Sequence, residues 1–281
     1  MAADRIPLSE RTASDGSRLG YRVFLPPQDR PCRPPLVAVH GNARGAARQF
    51  RALLPMAIAH AVPLIAPMFS RDRFQGYQTL AGADGPLAAQ RALDATLEDV
   101  RVTSGLDTSS VDLLGFSGGA QFAHRYAMLS PGRVRRLVVA SAGWYTRLDR
   151  SRPFPDGAGP SPASGGVPVD CSAFLRLPVH VLVGERDVER DVRLRTGRGI
   201  DRRQGPNRLI RALSWIDHLE DTARLVGLPS RVSFDLLPDT GHSFAEAIDR
   251  GALVERTAHY LHPPVAADLR DIDSDIEGRP L

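Results

Sequence analysis

Ser117 lies in the run "LLGFSGGAQFAHRY" (113–126), between an apolar stretch and a segment of helical period. With Gly115, Gly118 and Gly119 around it, the serine satisfies G-x-S-x-G, whose mechanical content is a sharp turn from strand to helix. Such a turn forces unusual backbone angles on the serine, and glycine neighbours make room for them. The hydroxyl is then held out beyond the sheet, beside the first N–H groups of a helix and their partial positive charge. The plainer use of the same residues is a glycine-rich turn in which the serine only caps the helix.

A serine hydroxyl is a weak nucleophile near neutral pH, so chemistry at Ser117 needs a base, and the base needs an orienting acid. Both belong in loops after later strands, in the chain order serine, acid, histidine. Of eight histidines, His242 follows a late strand-like run in a glycine-bearing loop, "DTGHSF". His40 precedes the serine, His60, His124 and His218 fall in helix-like segments, His180 in a strand-like one, and His259 and His262 near the C-terminal end. For the acid, Asp187 in "GERD" competes with Glu185, Glu189 and Asp191 of the same region and with Asp239 beside His242. Ligands of open α/β sheets gather at the carboxyl ends of strands, which places Asp187, His242 and Ser117 on one rim. The turn "VHGNARG" (39–45) offers a second backbone donor, the Asn42 N–H, to join the Gly118 N–H around a developing oxyanion, with Arg44 and Gly45 extending the rim. The alternative for Asn42 is a cap on an ordinary strand-to-helix turn.

The elements that must position these groups are legible as short apolar runs alternating with amphipathic ones. Runs at 19–26, 34–41, 62–69, 110–117, 135–143, 177–184 and 231–238 read as strands, with Pro67 marking the end of the third. Leu93, Leu97 and Val100 fall at i, i+4, i+7, as do Phe122, Tyr126 and Leu129, then Leu209, Leu213 and Ile216, then Val254, Ala258 and Leu261. Each set predicts one apolar helix face. Repeated strand–helix alternation predicts an α/β fold with a mostly parallel sheet covered by helices on both faces. Residues 1–262 read as a single domain. The Pro-, Gly- and Ser-rich stretch 147–170 is loop material, too short for a second domain, and 263–281 reads as a loose polar tail.

Composition narrows the functional classes. The chain has 281 residues, 42% of them hydrophobic, enough for one large core. All 36 basic residues are arginine, against 32 acidic ones, for a formal net charge of +4. The densest basic run, Arg186 to Arg203, also holds Asp187, Glu189, Asp191 and Asp201; it reads as a solvated surface or an anion-attracting rim, not a nucleic-acid stripe. Cys32 and Cys171 make no disulfide framework. The start, "MAADRIPLSERT", lacks the pattern of a signal peptide, and no apolar run is long enough to span a membrane, so a cytoplasmic location is expected. No metal-binding spacing and no phosphate-binding glycine loop occurs, so neither metal nor cofactor is expected. The sequence says nothing of the oligomeric state.

The HG turn, the GFSGG elbow, the late-strand Asp187 and the late His242 together resemble the α/β-hydrolase superfamily, over residues 18 to 262. Within it, the chain is similar to compact esterases of the polyhydroxybutyrate-depolymerase-like and dienelactone-hydrolase-like kinds. "SAGWYT" and "VGERD" add to the likeness. The resemblance implies a serine hydrolase that cleaves small or polymeric esters through an acyl-enzyme, with Ser117 as nucleophile, His242 as base and Asp187 as its acid. An acyltransferase or a peptidase would use the same three residues, and a non-catalytic ligand-binding role is a further alternative. The turn reads HGNARG where many lipase-like esterases have HGGG. A serine at position 117 departs from dienelactone hydrolases proper, which carry cysteine there, and from dehalogenases and epoxide hydrolases, which carry aspartate. The stretch after the strand at 135–143 shows no helical period where many members insert a cap. The resemblance therefore implies a minimal cap and an open site, with Trp144 and Tyr145 as rim residues or as core packing.

Overall fold

In the computed structural model, which describes residues 8–12, 19–27 and 33–263, the short apolar runs become an eight-stranded sheet. The strands are β1 (Leu8–Thr12), β2 (Gly20–Phe24), β3 (Leu36–Val39), β4 (Leu64–Met68), β5 (Val111–Phe116), β6 (Val134–Ala140), β7 (Val179–Gly184) and β8 (Val232–Leu237). Across the sheet they run β1-β2-β4-β3-β5-β6-β7-β8; β2 is antiparallel to both its neighbours and the other pairs are parallel. The helices among the described residues are α1 (Ala46–Ala59), α2 (Ala88–Ser104), α3 (Gly118–Leu129), α4 (Cys171–Leu175), α5 (Arg198–Gln204), α6 (Arg208–Leu225), α7 (Phe244–Asp249) and α8 (Leu253–Leu261).

Alternate residues of the central strands point to opposite faces, and both faces are apolar. Val37 and Val39 of β3, Leu113 of β5, Leu137 and Val139 of β6 and Val181 of β7 pack with Leu93 and Leu97 of α2, Phe122 and Tyr126 of α3 and Trp215 of α6. Leu36, Ala38, Leu114, Val138 and Leu182 face the other way, onto Phe50 and Leu53 of α1 and Leu253 and Leu261 of α8. Period-two strands covered on both sides account for the parallel arrangement. Each fully buried Val, Leu or Phe contributes about 1.5–3 kcal/mol of transfer free energy.

Three expectations are corrected. β1 has no counterpart in the sequence reading, because LSERT carries no apolar run. β4 continues through Pro67 to Met68: its pairing with β3 ends at Ile65, so at Pro67 that side has no partner strand needing an N–H. In α6 the expected stripe holds in part: Ile216 is buried and Leu209 packs against the core, but Leu213 is exposed, and Arg208, Arg211, Ala212, Trp215 and Leu219 also turn inward.

The stretch 147–170 is irregular, as expected, but tied down. The Ala158 N–H donates to the Asp149 carbonyl, the Phe154 N–H to that of Gly159, and Leu148, Phe154, Ala158 and Val169 are buried. Between β6 and β7 the only α-helix is five-residue α4, so among the described residues no helical cap is inserted there. The expected tail at 263–281 lies outside the described residues beyond Pro263.

Candidate active site

Ser117 joins β5 to α3 at φ 54°, ψ −113°, a left-handed conformation rarely tolerated by a residue with a side chain. The flanking glycines let α3 start this close to the sheet: a Cβ on Gly119 would collide with the Val39 carbonyl of β3, and one on Gly118 with the Asn42 side chain. Ser117 occupies the cap position of α3, yet its side chain makes no capping bond; its Oγ lies 2.9 Å from His242 Nε2.

His242 stands in the loop after β8. Its ring stacks on Phe116 at 5.8 Å, and its Nδ1 lies 2.8 Å from Asp187 Oδ2. A carboxylate only accepts, so Nδ1 carries the proton and Nε2 is free to accept from the Ser117 hydroxyl. The loop is held by Glu246, which accepts the Gly241 N–H at 2.8 Å, and by Ser243, which caps α7. Asp187 follows β7, and the two loops are stitched together: the Arg186 N–H donates to the Thr240 carbonyl and the Glu185 N–H to that of Leu237.

Asp187 is fully buried, and its second oxygen faces Arg208 Nη1 at 3.4 Å. Arg208, at the start of α6, is itself 1% exposed. Its Nη2 donates to both oxygens of Asp191, at 3.0 and 3.1 Å. The guanidinium thus bridges Asp187 and one of its competitors, and of the two only Asp187 reaches the imidazole. Burial works to raise the Asp191 carboxyl, but the Arg208 hydrogen bond, the Arg193 backbone N–H and the Arg208 charge together outweigh it and hold Asp191 below its ordinary value. Sequence reasoning missed Arg208, one of 36 arginines on a helix whose inward face is expected to be apolar.

Asn42 does not cap α1, which begins after Gly45 without a side-chain cap. Its Oδ1 instead accepts from Gln78 Nε2 at 2.6 Å and lies 3.4 Å from the Tyr77 hydroxyl, which donates to the His40 carbonyl at 2.8 Å. His40 braces the same turn: its Nδ1 lies 2.9 Å from the Gly41 carbonyl, and Nε2 accepts the Phe69 N–H at 3.1 Å. Burial pushes His40 down to about 4, so it is neutral here, as accepting that N–H requires. Among the described residues, the Asn42 and Gly118 N–H groups have no backbone acceptor.

Of the expected rim, Gly45 and Asn42 line the cavity, whereas Arg44 turns away from it and Trp144 and Tyr145 take the core-packing alternative. The Arg44 guanidinium donates to the carbonyls of Phe69 and Phe74 at 2.6 and 3.0 Å and stacks over Tyr77, so it struts the turn. Tyr145 is fully buried against Trp215, and Trp144 is sandwiched between Arg125 and Arg195, so neither lines the opening: the chain past β6 dives into the core. The cavity beside Ser117 and His242, about 240 Å³, is lined besides by Arg48 and Gln49 of α1, Arg193, and Phe244. Among the described residues no cluster of three or more His, Cys, Asp or Glu is placed to hold a metal ion, and no helix is long and apolar enough to cross a membrane.

No family model and no curated protein matches this sequence at a significant level. Solved structures do match. The poly(3-hydroxybutyrate) depolymerase LpqC of Bordetella parapertussis is 24% identical, with a TM-score of 0.74 over 94% of this chain and 92% of that one. Poly(aspartic acid) hydrolase-1 of Sphingomonas sp. KT-1 is also 24% identical, with a TM-score of 0.74 over 90% of this chain and 97% of that one. An S-formylglutathione hydrolase of Agrobacterium tumefaciens is 14% identical, with a TM-score of 0.57 over 90% and 94%. Sheet order, helical layers and these likenesses agree that the chain has the α/β-hydrolase fold.

Proposed function

We propose that the protein is a serine hydrolase of carboxylic esters working through an acyl-enzyme. The observation that carries this reading is the continuous chain Ser117 Oγ–His242 Nε2 at 2.9 Å and His242 Nδ1–Asp187 Oδ2 at 2.8 Å, on a strained elbow. Ser117 Oγ attacks the ester carbonyl carbon while its proton passes to His242 Nε2, and the buried Asp187 carboxylate stabilises the imidazolium. The oxyanion of the tetrahedral intermediate accepts from the Gly118 and Asn42 N–H groups, each donor lowering the barrier by about 3–4 kcal/mol. His242 then protonates the departing alkoxide. Water, deprotonated by His242, attacks the acyl-enzyme and releases the acid and free Ser117.

The absence of a helical cap supports an open site that admits bulky or polymeric esters. The names of the two 24%-identical neighbours support a site open to polymers: one hydrolyses a polyester, poly(3-hydroxybutyrate), the other a polyamide, poly(aspartic acid). A panel of p-nitrophenyl esters of increasing acyl length tests it. Hydrolysis should extend beyond the shortest chains and disappear in Ser117→Ala. Full activity in that variant would refute the mechanism, and activity confined to acetate would refute the open site.

A further inference from the structure

We propose that the ester cleaved carries a carboxylate close to the scissile bond, received by Arg48, Arg193 and the Gln49 amide in the cavity beside Ser117. The inference rests on the serine-hydrolase reading and names its substrate class. Three observations carry it. First, the cavity of about 240 Å³ that contains Ser117 and His242 has two arginines and no Asp or Glu among its lining residues. The carboxylates Asp187 and Asp191 lie outside that lining and share Arg208. Second, Gln49 is 2% exposed, yet neither its Nε2 nor its Oε1 has a partner. A buried amide left unsatisfied costs free energy, and Gln49 belongs to the lining of the cavity, so its unused carboxamide points to a ligand that bonds to it. Third, Arg48 and Arg193 form no ion pair among the described residues, whereas Arg190 and Arg195 on the same loop are matched by Asp201 and Asp156.

A carboxylate is the ligand that satisfies this set. It accepts from a planar guanidinium through two parallel bonds and has a lone pair left for an amide N–H. Gln49 Nε2 supplies that donor, and its Oε1 takes a substrate hydroxyl or water. The second cavity, across Asn42, follows the same pattern: it is lined by Arg44, Arg71, Gln75 and Gln78, again without an acid. Positive charge therefore flanks the candidate oxyanion donors on both sides. A neutral ester would leave the Gln49 donors unused and the arginines merely hydrated.

The test compares kcat/KM on two matched pairs: mono-p-nitrophenyl glutarate against p-nitrophenyl 5-methylhexanoate, and 4-acetoxybutanoate against 4-methylpentyl acetate. In each pair an isopropyl end replaces the carboxylate, on the acyl side in the first and on the alcohol side in the second. In at least one pair the charged ester should be preferred by about tenfold or more, as one charge-assisted contact allows. That ratio should fall in Gln49→Leu, approach unity in the double variant Arg48→Gln/Arg193→Gln, and shrink when NaCl is raised to about 0.5 M. A ratio at or below unity in both pairs, or one unmoved by the double variant and by salt, overturns this inference while neutral hydrolysis leaves the esterase reading standing. Failure to cleave any of the four overturns both.

Discussion

Replacing Arg208 by Met removes a buried cation while keeping a side chain of similar length. Asp187 would then sit fully buried with only the His242 N–H against its charge, whereas the partly exposed Asp191 would be solvated. At the observed 3.4 Å, Coulomb attraction with an effective dielectric of about 20 is roughly 5 kcal/mol before desolvation is counted. Breaking a buried pair from one side typically costs about 3–5 kcal/mol, because the remaining charge stays uncompensated. Refilling the space with Met favours the lower end, about 3 kcal/mol, which for a chain of this size lowers Tm by about 6–12 °C. The acid also loses one of its two anchors, so kcat on p-nitrophenyl acetate should fall by about ten- to a hundredfold, or 1.4–2.7 kcal/mol of barrier. The check is a double-mutant cycle by thermal unfolding and steady-state kinetics. In an Asp187→Asn background, with the charge already gone, the Arg208→Met cost should shrink to under about 1 kcal/mol. A Tm within 2 °C of wild type, or effects that simply add, would refute the reasoning.

Further outcomes follow from the same geometry. Asp187→Asn should lower kcat by about four orders of magnitude, as the equivalent change does in serine proteases, through the wrong imidazole tautomer; Asp191→Asn should stay within about tenfold, since Asp191 reaches His242 only through Arg208. Comparable losses in the two variants would mean that Asp191 shares the acid's role. Gly119→Ala should lose much of its stability in denaturant unfolding, because the new Cβ meets the Val39 carbonyl and not a movable side chain; a wild-type midpoint would contradict that contact. Stability should also fall from pH 6.5 to 4. Burial lowers His40 and His218 to about 4 and His124 further, so below 6.5 the unfolded chain takes up protons that the folded chain refuses. At 1.36 kcal/mol per unit, His40 alone contributes about 3 kcal/mol across that window. Asp112, which burial raises to about 6, and Asp94, which burial also raises, oppose this because the folded state binds their protons first, but they are two groups against five, since burial lowers His180 and His262 as well. A Tm that is flat or rises from pH 7 to 4.5 would contradict the prediction.

The candidate triad was readable because each residue sits at a strand end with its own local signature: glycines around Ser117, a glycine loop at His242, and an acid just past the glycine that ends β7. Strand alternation likewise exposed the sheet, since burial on both faces writes continuous apolar runs. What stayed hidden depends on partners distant in sequence. Arg208 and Arg211 lie outside the expected apolar stripe and read as solvent-facing, and only the fold shows that Asp187, Asp191 and Asp201 come to meet them. β1 lacks an apolar run. Trp144 and Tyr145 follow a strand end, as rim residues do, but a chain that turns inward there reads the same as one that turns out. Gln49 carried no signal, because an amide in an amphipathic helix is ordinary until its neighbours are known.

The central claim is that the hydroxyl of Ser117 is made nucleophilic by His242. Incubation with a fluorophosphonate, followed by peptide mapping, tests it most directly. The account predicts a single adduct on Ser117 that forms in wild type and fails to form when His242 is replaced by Ala. An adduct on another residue, or no adduct on a folded protein, would contradict it.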